Sequence, residues 1–185
     1  GKYRLFEKKA SYGTVLNTTV KEVELTYAGQ TVEITETAAE FYNERQKAVI
    51  SLKKQLEINE LFRIGNNGEL AAVSFGLYAK ETLTAANGSA GSLLEIAACD
   101  SEGNITFNTD IPVGAVLFVK EYATDSHYKL SEKEYAVTFE YTDQTAAVVE
   151  IVVNDGEAVT NELIYSRIEG LKKDEDGNPL ANAVF

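Results

Sequence analysis

Residues able to carry out chemistry are few in this chain of 185 residues, which holds one histidine, His127, and one cysteine, Cys99. Acid–base, zinc and disulfide chemistry usually recruit several such side chains, so most enzyme classes and any multi-cysteine metal cluster are poorly served. Asp125-Ser126-His127 contains the residue types of a catalytic triad. Adjacent residues cannot face one another in triad geometry, however, and the segment reads as a surface turn. Cys99, beside Ala97 and Ala98, reads as a small core residue at a strand end. The acidic run Asp174 to Asn178 lacks the full ligand pattern of a calcium loop. Asn17, Asn87 and Asn104 open Asn-x-Ser/Thr sequons, a pattern frequent by chance. The reading therefore expects no metal, no cofactor and no turnover enzyme.

The elements that would position any site are strands. Tyr (10) and Phe (8) are plentiful, Pro occurs twice, and Val and Thr alternate with polar residues between Gly, Asn and Asp turns. Val23 to Tyr27 and Thr31 to Thr35 read as a hairpin broken at Ala28-Gly29. The same grammar returns at Val137 to Tyr141 and Val148 to Val153. Asp100 to Asn104 is a turn into the strand Ile105-Thr106-Phe107, and Thr84 to Ser92 an exposed loop. Ile58 to Phe62 could form at most one helical turn. The insertion from Glu57 to Val73 exceeds a plain hairpin connection. A formal net charge of −12 excludes nucleic acid and anionic membrane as natural partners. No apolar run reaches the roughly 18 residues of a membrane span. No secretory leader opens the chain, which is read as an excerpt from a longer one.

The chain also repeats itself. Gly1 to Glu7 corresponds to Gly114 to Glu121, Val23 to Thr31 to Val137 to Thr145, Phe41 to Glu44 to Val159 to Glu162, and Leu52-Lys53-Lys54 to Leu171-Lys172-Lys173. An offset of about 114 to 119 residues is one domain length. Residues 1–46 are thus read as the C-terminal half of a first repeat, 47–165 as a complete central repeat, and 166–185 as the opening strands of a third. Neither junction has the composition of a flexible linker, so consecutive units should abut.

These motifs resemble the Cna B-type, prealbumin-like repeats of Gram-positive surface adhesins and pilins. The resemblance is carried by Lys172 to Phe185, by Phe75-Gly76-Leu77-Tyr78, by Asp100 to Phe107, by Asp110 to Glu121 and by Asn161-Glu162. It implies an all-β, Greek-key, Ig-like sandwich of about seven strands and an extracellular, cell-wall-attached stalk. The implied partners are the adjacent repeats of the chain and a host-surface or matrix ligand. In many members it further implies an internal Lys–Asn isopeptide bond. Two features depart from the pattern: the segment from Gly114 to Glu121 is one residue longer than that from Gly1 to Glu7, suggesting a bulge that re-aims Glu121, and the tyrosine usual after that glycine is absent.

In that bond a neutral lysine amine attacks an asparagine carboxamide and ammonia leaves. The amine must be desolvated to lose its proton near neutral pH, and a carboxylic acid kept neutral by the same surroundings polarises the amide and shuttles protons. Period-two alternation puts Ile50, Leu52 and Lys54 on one face and leaves Lys53 on the other. Leu117, Val119 and Glu121 share a face, and Asn161 closes the last strand. The resemblance therefore nominates Lys54, Glu121 and Asn161, with Lys53 as the rival nucleophile. In the first repeat it nominates Glu7 and Asn43, with the lysine placed upstream. In the third, Lys172 fits the Lys-x-Asp pattern and repeat alignment favours Lys173. The half-units at the two ends are complementary, so head-to-tail self-association is expected. The rival from another class is a ligand-binding β-sandwich module, which would expose aromatics on loops.

Overall fold

The computed structural model describes residues 1–31, 35–83 and 88–182. Two strands, β1 (Lys2–Leu5) and β2 (Lys21–Glu24), form an antiparallel pair. Eight more follow: β3 (Lys47–Leu56), β4 (Ser74–Ala79), β5 (Leu93–Ala98), β6 (Asn104–Phe107), β7 (Val116–Ala123), β8 (Glu134–Thr138), β9 (Val148–Val152) and β10 (Val159–Asn161). They make two sheets. In the first, β3 is central, with β6 antiparallel on one side and β9 and β10 both parallel on the other. β9 covers Lys47–Ser51 and β10 covers Lys54–Leu56, so together they act as one strand broken by the short 3-10 turn Val153–Gly156. The second sheet runs β5-β4-β7-β8, antiparallel throughout.

Alternation decides what lies between the sheets. Along β3 the buried residues are Ala48, Ile50, Leu52, Lys54 and Leu56; along β7 they are Leu117, Val119 and Glu121. Phe75, Leu77, Ile105, Phe107 and Phe139 complete the centre of the core. The bulge expected within Gly114–Glu121 is not seen in the pairing of β7, which runs in regular register from Leu117 to Glu121; the register shift in the β4–β7 pair lies where Ser74 faces Ala123 and Phe75 faces Glu121. It falls beyond Glu121, which keeps its inward direction.

The second expected hairpin pairs differently, and the partner strand of the first falls largely outside the described residues. β2 pairs with β1, and Leu25 to Thr31 lie outside any strand, while residues 32–34 of the expected partner lie outside the described residues. β8 stays in the second sheet beside β7, whereas β9 crosses to the first and lies parallel to β3. Period-two patterning identifies a strand without naming its neighbour; here the neighbours were set by the free edges of each sheet. Ile58 to Phe62 forms no helical turn: Asn59 bridges Ile64 around a tight turn, and the only 3-10 turn in that insertion is Glu69–Ala72. The expected loop from Thr84 falls partly outside the described residues; Gly88 to Ser92 returns the chain to β5.

The hydrogen bonding of residues 1–46 recurs in the sandwich. β1 and β2 pair Tyr3 with Val23, as β7 and β8 pair Leu117 with Val137. Thr14 bridges Arg45 as Tyr128 bridges Leu163. Val15 N donates to Glu44 O (2.8 Å) as Lys129 N does to Glu162 O (3.0 Å). The first segment is joined to the sandwich by Gln46, which is 1% exposed. Its amide donates to Thr142 Oγ1, Asp143 O and Ala146 O and accepts from Thr142 N. Tyr12 packs on Tyr141 (ring centroids 4.9 Å), and Arg45 pairs with Asp110.

Candidate functional site

Lys54, Glu121 and Asn161 meet where β3, β7 and β10 come together. They are 2%, 3% and 2% exposed, three of the four buried polar side chains among the described residues. Lys54 is fixed at the backbone by donating to Gly103 O (2.7 Å), and its alternation with Leu52 and Leu56 aims the side chain between the sheets. Its Nζ donates to Asn161 Oδ1 (2.7 Å), Val159 O (3.1 Å) and Gln55 O (2.9 Å). Asn161 Nδ2 donates to both oxygens of Glu121 (2.9 and 2.8 Å), to Thr124 Oγ1 (3.1 Å) and to Lys129 O (3.0 Å). Glu121 Oε2 also accepts from Ser131 N (2.7 Å), and Glu121 Oε1 lies 3.9 Å from Lys54 Nζ. Among the described residues no buried side-chain nitrogen or oxygen lacks a partner.

The electrostatics favour a nucleophile. Burial pushes the Lys54 ammonium down from its ordinary 10.5 to about 8, against the opposing pull of the Glu121 carboxylate and the Cys99 thiol. Cys99 is itself buried, which pushes its thiol up and leaves it inert. The amide therefore sits between an amine with a depressed pKa and a carboxyl group. The amine is hydrogen-bonded to the carbonyl oxygen of that amide, and the carboxyl accepts from the nitrogen that would leave. Reactants held this way need no diffusional encounter.

Lys53 points the other way, donating from the surface to Glu102 O (2.6 Å) and Asn104 Oδ1 (3.0 Å). Glu7 and Asn43 are also brought together: Glu7 Oε2 accepts from Asn43 Nδ2 (2.6 Å) and Asn17 N (2.7 Å), and Asn43 Nδ2 donates to Val15 O (2.8 Å). These partners are placed as Ser131 N and Lys129 O are around Glu121 and Asn161. Lys172 is exposed and meets neither carboxamide. Asp125 accepts from His127 at both backbone and ring in a surface turn, and the Ser126 hydroxyl is not bonded to either. Asn104, the third sequon, is held by Asp100 and Lys53. Sequence reasoning missed Thr124 and the backbone groups of Val15, Asn17, Lys129 and Ser131. Main-chain atoms leave no residue signature.

No protein-family model matches the sequence, and no curated protein does. Among solved structures the chain is similar to the Bacillus anthracis TIE protein (TM-score 0.56, 18% identity), a match covering 98% of this chain and 31% of that one. It is also similar to a C-terminal fragment of the pilus adhesin SpaC from Lactobacillus rhamnosus GG (TM-score 0.46, 15% identity, 91% and 79% covered). A third is GBS52, the minor pilin of Streptococcus agalactiae (TM-score 0.40, 18% identity, 92% and 86% covered). The chain spans about a third of the length of the TIE protein. Its fold is an all-β, prealbumin-like sandwich.

Proposed function

We propose that residues 47–165 are one complete repeat of an extracellular, cell-wall-attached stalk, closed by an isopeptide bond between Lys54 and Asn161. In this reading residues 1–46 are the end of a preceding repeat and 166–185 the start of a following one. The observation that carries it is the contact of a dehydrated amine, a carboxamide and a carboxyl group from three strands of the core. Glu121 receives a proton from the amine and returns it to the departing Nδ2. A bond forms from Lys54 Nζ to Asn161 Cγ, the Cγ–Nδ2 bond breaks, and ammonia leaves. The site acts once and does not turn over.

Two further features suit a stalk. The partners in sequence are 107 positions apart. A covalent closure of that length constrains the unfolded chain by about 4.7 kcal/mol if treated like a disulfide loop. The joint before β3 is stiffened by the satisfied Gln46 amide rather than by a linker. Intact mass tests the reading: the folded chain should be lighter than its sequence by one ammonia, and Lys54→Ala or Asn161→Ala should restore the sequence mass. An undiminished mass in the folded wild-type chain would refute it.

A further inference from the structure

We propose that the oxygens around Asn161 Nδ2 form a binding site for the leaving nitrogen as ammonium, and that Thr124 is a catalytic residue of that site. The inference rests on the reaction proposed for Lys54 and Asn161. It is carried by a mismatch between the amide and its surroundings. A planar carboxamide nitrogen has two hydrogens to donate. Asn161 Nδ2 lies 2.9 and 2.8 Å from the oxygens of Glu121, 3.1 Å from Thr124 Oγ1 and 3.0 Å from Lys129 O. The amide cannot direct a separate hydrogen at each of these oxygens. A nitrogen that departs as ammonium can, because it carries four. The pocket therefore suits the departing group better than the starting amide, which is the condition for accelerating a step.

The first segment of the chain supplies an internal comparison. Glu7, Val15 and Asn17 surround Asn43 as Glu121, Lys129 and Ser131 surround Asn161, each 114 positions earlier. The same offset puts Ala10, a buried residue without a hydroxyl, at the place of Thr124. Asn43 Nδ2 still donates to Glu7 Oε2 (2.6 Å) and Val15 O (2.8 Å), one acceptor for each of its hydrogens. Holding a carboxamide in this cradle thus needs no hydroxyl. Thr124, which directly follows the last residue of β7, offers an acceptor that the resting amide does not require.

The opposite side of the amide shows where assistance is concentrated. Among the described residues Asn161 Oδ1 accepts from Lys54 Nζ alone, and that nitrogen is the nucleophile. No further donor waits for negative charge at the carbonyl oxygen. The fixed acceptors sit instead where positive charge develops on Nδ2, and in a buried site they act at full strength. The hydrogen count closes on the same species. Lys54 begins as an ammonium with three hydrogens and ends as an amide nitrogen with one. The other two pass to Nδ2 by way of Glu121, which ends as the carboxylate it was at the start. The Nζ–Cγ bond forms and the Cγ–Nδ2 bond breaks with its electron pair on Nδ2. The freed nitrogen is then ammonium, and giving one proton back to Glu121 lets it depart as ammonia.

The test dilutes the 185-residue chain from denaturant and follows ammonia loss by mass at quenched times. Thr124→Val keeps the shape of the side chain and leaves no room for a water in place of the hydroxyl. It should slow the loss about 10–100-fold, the range for one hydrogen bond to a charged group. Thr124→Ser keeps the hydroxyl and should restore most of the rate. Thr124→Val is also made in the Lys54→Ala chain, which cannot react. There the melting temperature should stay unchanged, whereas a merely structural threonine would lower it. Ammonia loss from Thr124→Val at the wild-type rate overturns this proposal alone. So does equal slowing by Val and Ser, or a lowered melting temperature in the unreactive chain. A folded wild-type chain that never loses ammonia overturns the Lys54–Asn161 reading, and this site with it.

Discussion

The pH dependence of bond formation separates two accounts of how the amine becomes reactive. If Glu121 takes the proton of Lys54, the reactive pair is a neutral amine beside a neutral acid. That pair carries the same number of protons as ammonium beside carboxylate, so its fraction does not change with pH while the pair holds one proton. The rate should then be flat through neutrality up to about pH 8, where Lys54 titrates, and fall about tenfold per unit above it. If Glu121 is a bystander, only the neutral amine matters. The rate then climbs about tenfold per unit and levels above about pH 8. Glu121→Gln removes the proton carrier and should slow the reaction by about 10²–10⁴-fold. It also removes the charge that holds the Lys54 pKa up, so the variant should show the climbing profile, levelling below pH 8. The assay keeps the chain unfolded in denaturant from synthesis onward, dilutes it into buffers across this range and follows ammonia loss by mass at quenched times. A wild-type rate that climbs to a plateau near pH 8, or a Glu121→Gln rate equal to wild type, would refute the proton-carrier role.

Two further substitutions test how the site and the joint are held. An alanine Cβ at Gly103, whose φ is +87°, would stand 2.2 Å from Lys54 O, so Gly103→Ala should displace the β3–β6 edge. It should slow ammonia loss at least tenfold and lower the melting temperature, both read on one sample by mass and calorimetry. Gln46→Ala deletes a side chain only 1% exposed and strips the part-buried Thr142 N–H of its acceptor, so it should cost about 1–3 kcal/mol. That amide should exchange hydrogen faster, while Asn161 still loses its ammonia.

The resemblance at the repeat motifs nominated the three residues, and strand alternation gave the faces on which they lie. Parity around Ile50 and Leu52 separated Lys54 from Lys53, and parity around Leu117 and Val119 turned Glu121 inward, because a period of two fixes a face without reference to the partner strand. Strand pairing was not legible for the same reason: β8 and β9 alternate as a hairpin would, yet lie in different sheets. The cradle around each asparagine is largely main chain, and Thr124 looks like any strand-end threonine. Gln46 is the clearest omission. A polar residue between Arg45 and Lys47 reads as surface, and only the return of Thr142 to Ala146 beside it makes it an interior amide. The second lysine pair stays ambiguous in sequence because Lys172 and Lys173 differ in which template they fit. Among the described residues, Ile168 to Lys172 pair with no strand that would fix their face.

The placement of the proposed bond has a mechanical consequence that follows from topology. β3 and β10 are parallel neighbours, and Lys54 lies opposite Val159 near the end at which the chain leaves. Force applied through Gln46 enters β3 at Lys47, passes along eight residues of that strand to Lys54, crosses to Asn161 and leaves through Glu162. The 106 residues between the linked pair, including β4 through β9, lie outside that path. Without the bond, the same load would fall on the parallel hydrogen bonds that β3 makes to β9 and β10, each of net value only about 1 kcal/mol. Moving the link to Lys53 would break this arrangement, since its amine faces Glu102 across the solvent side of the sheet. The choice between adjacent lysines thus decides whether the load path is covalent, and burial of Lys54 makes that choice.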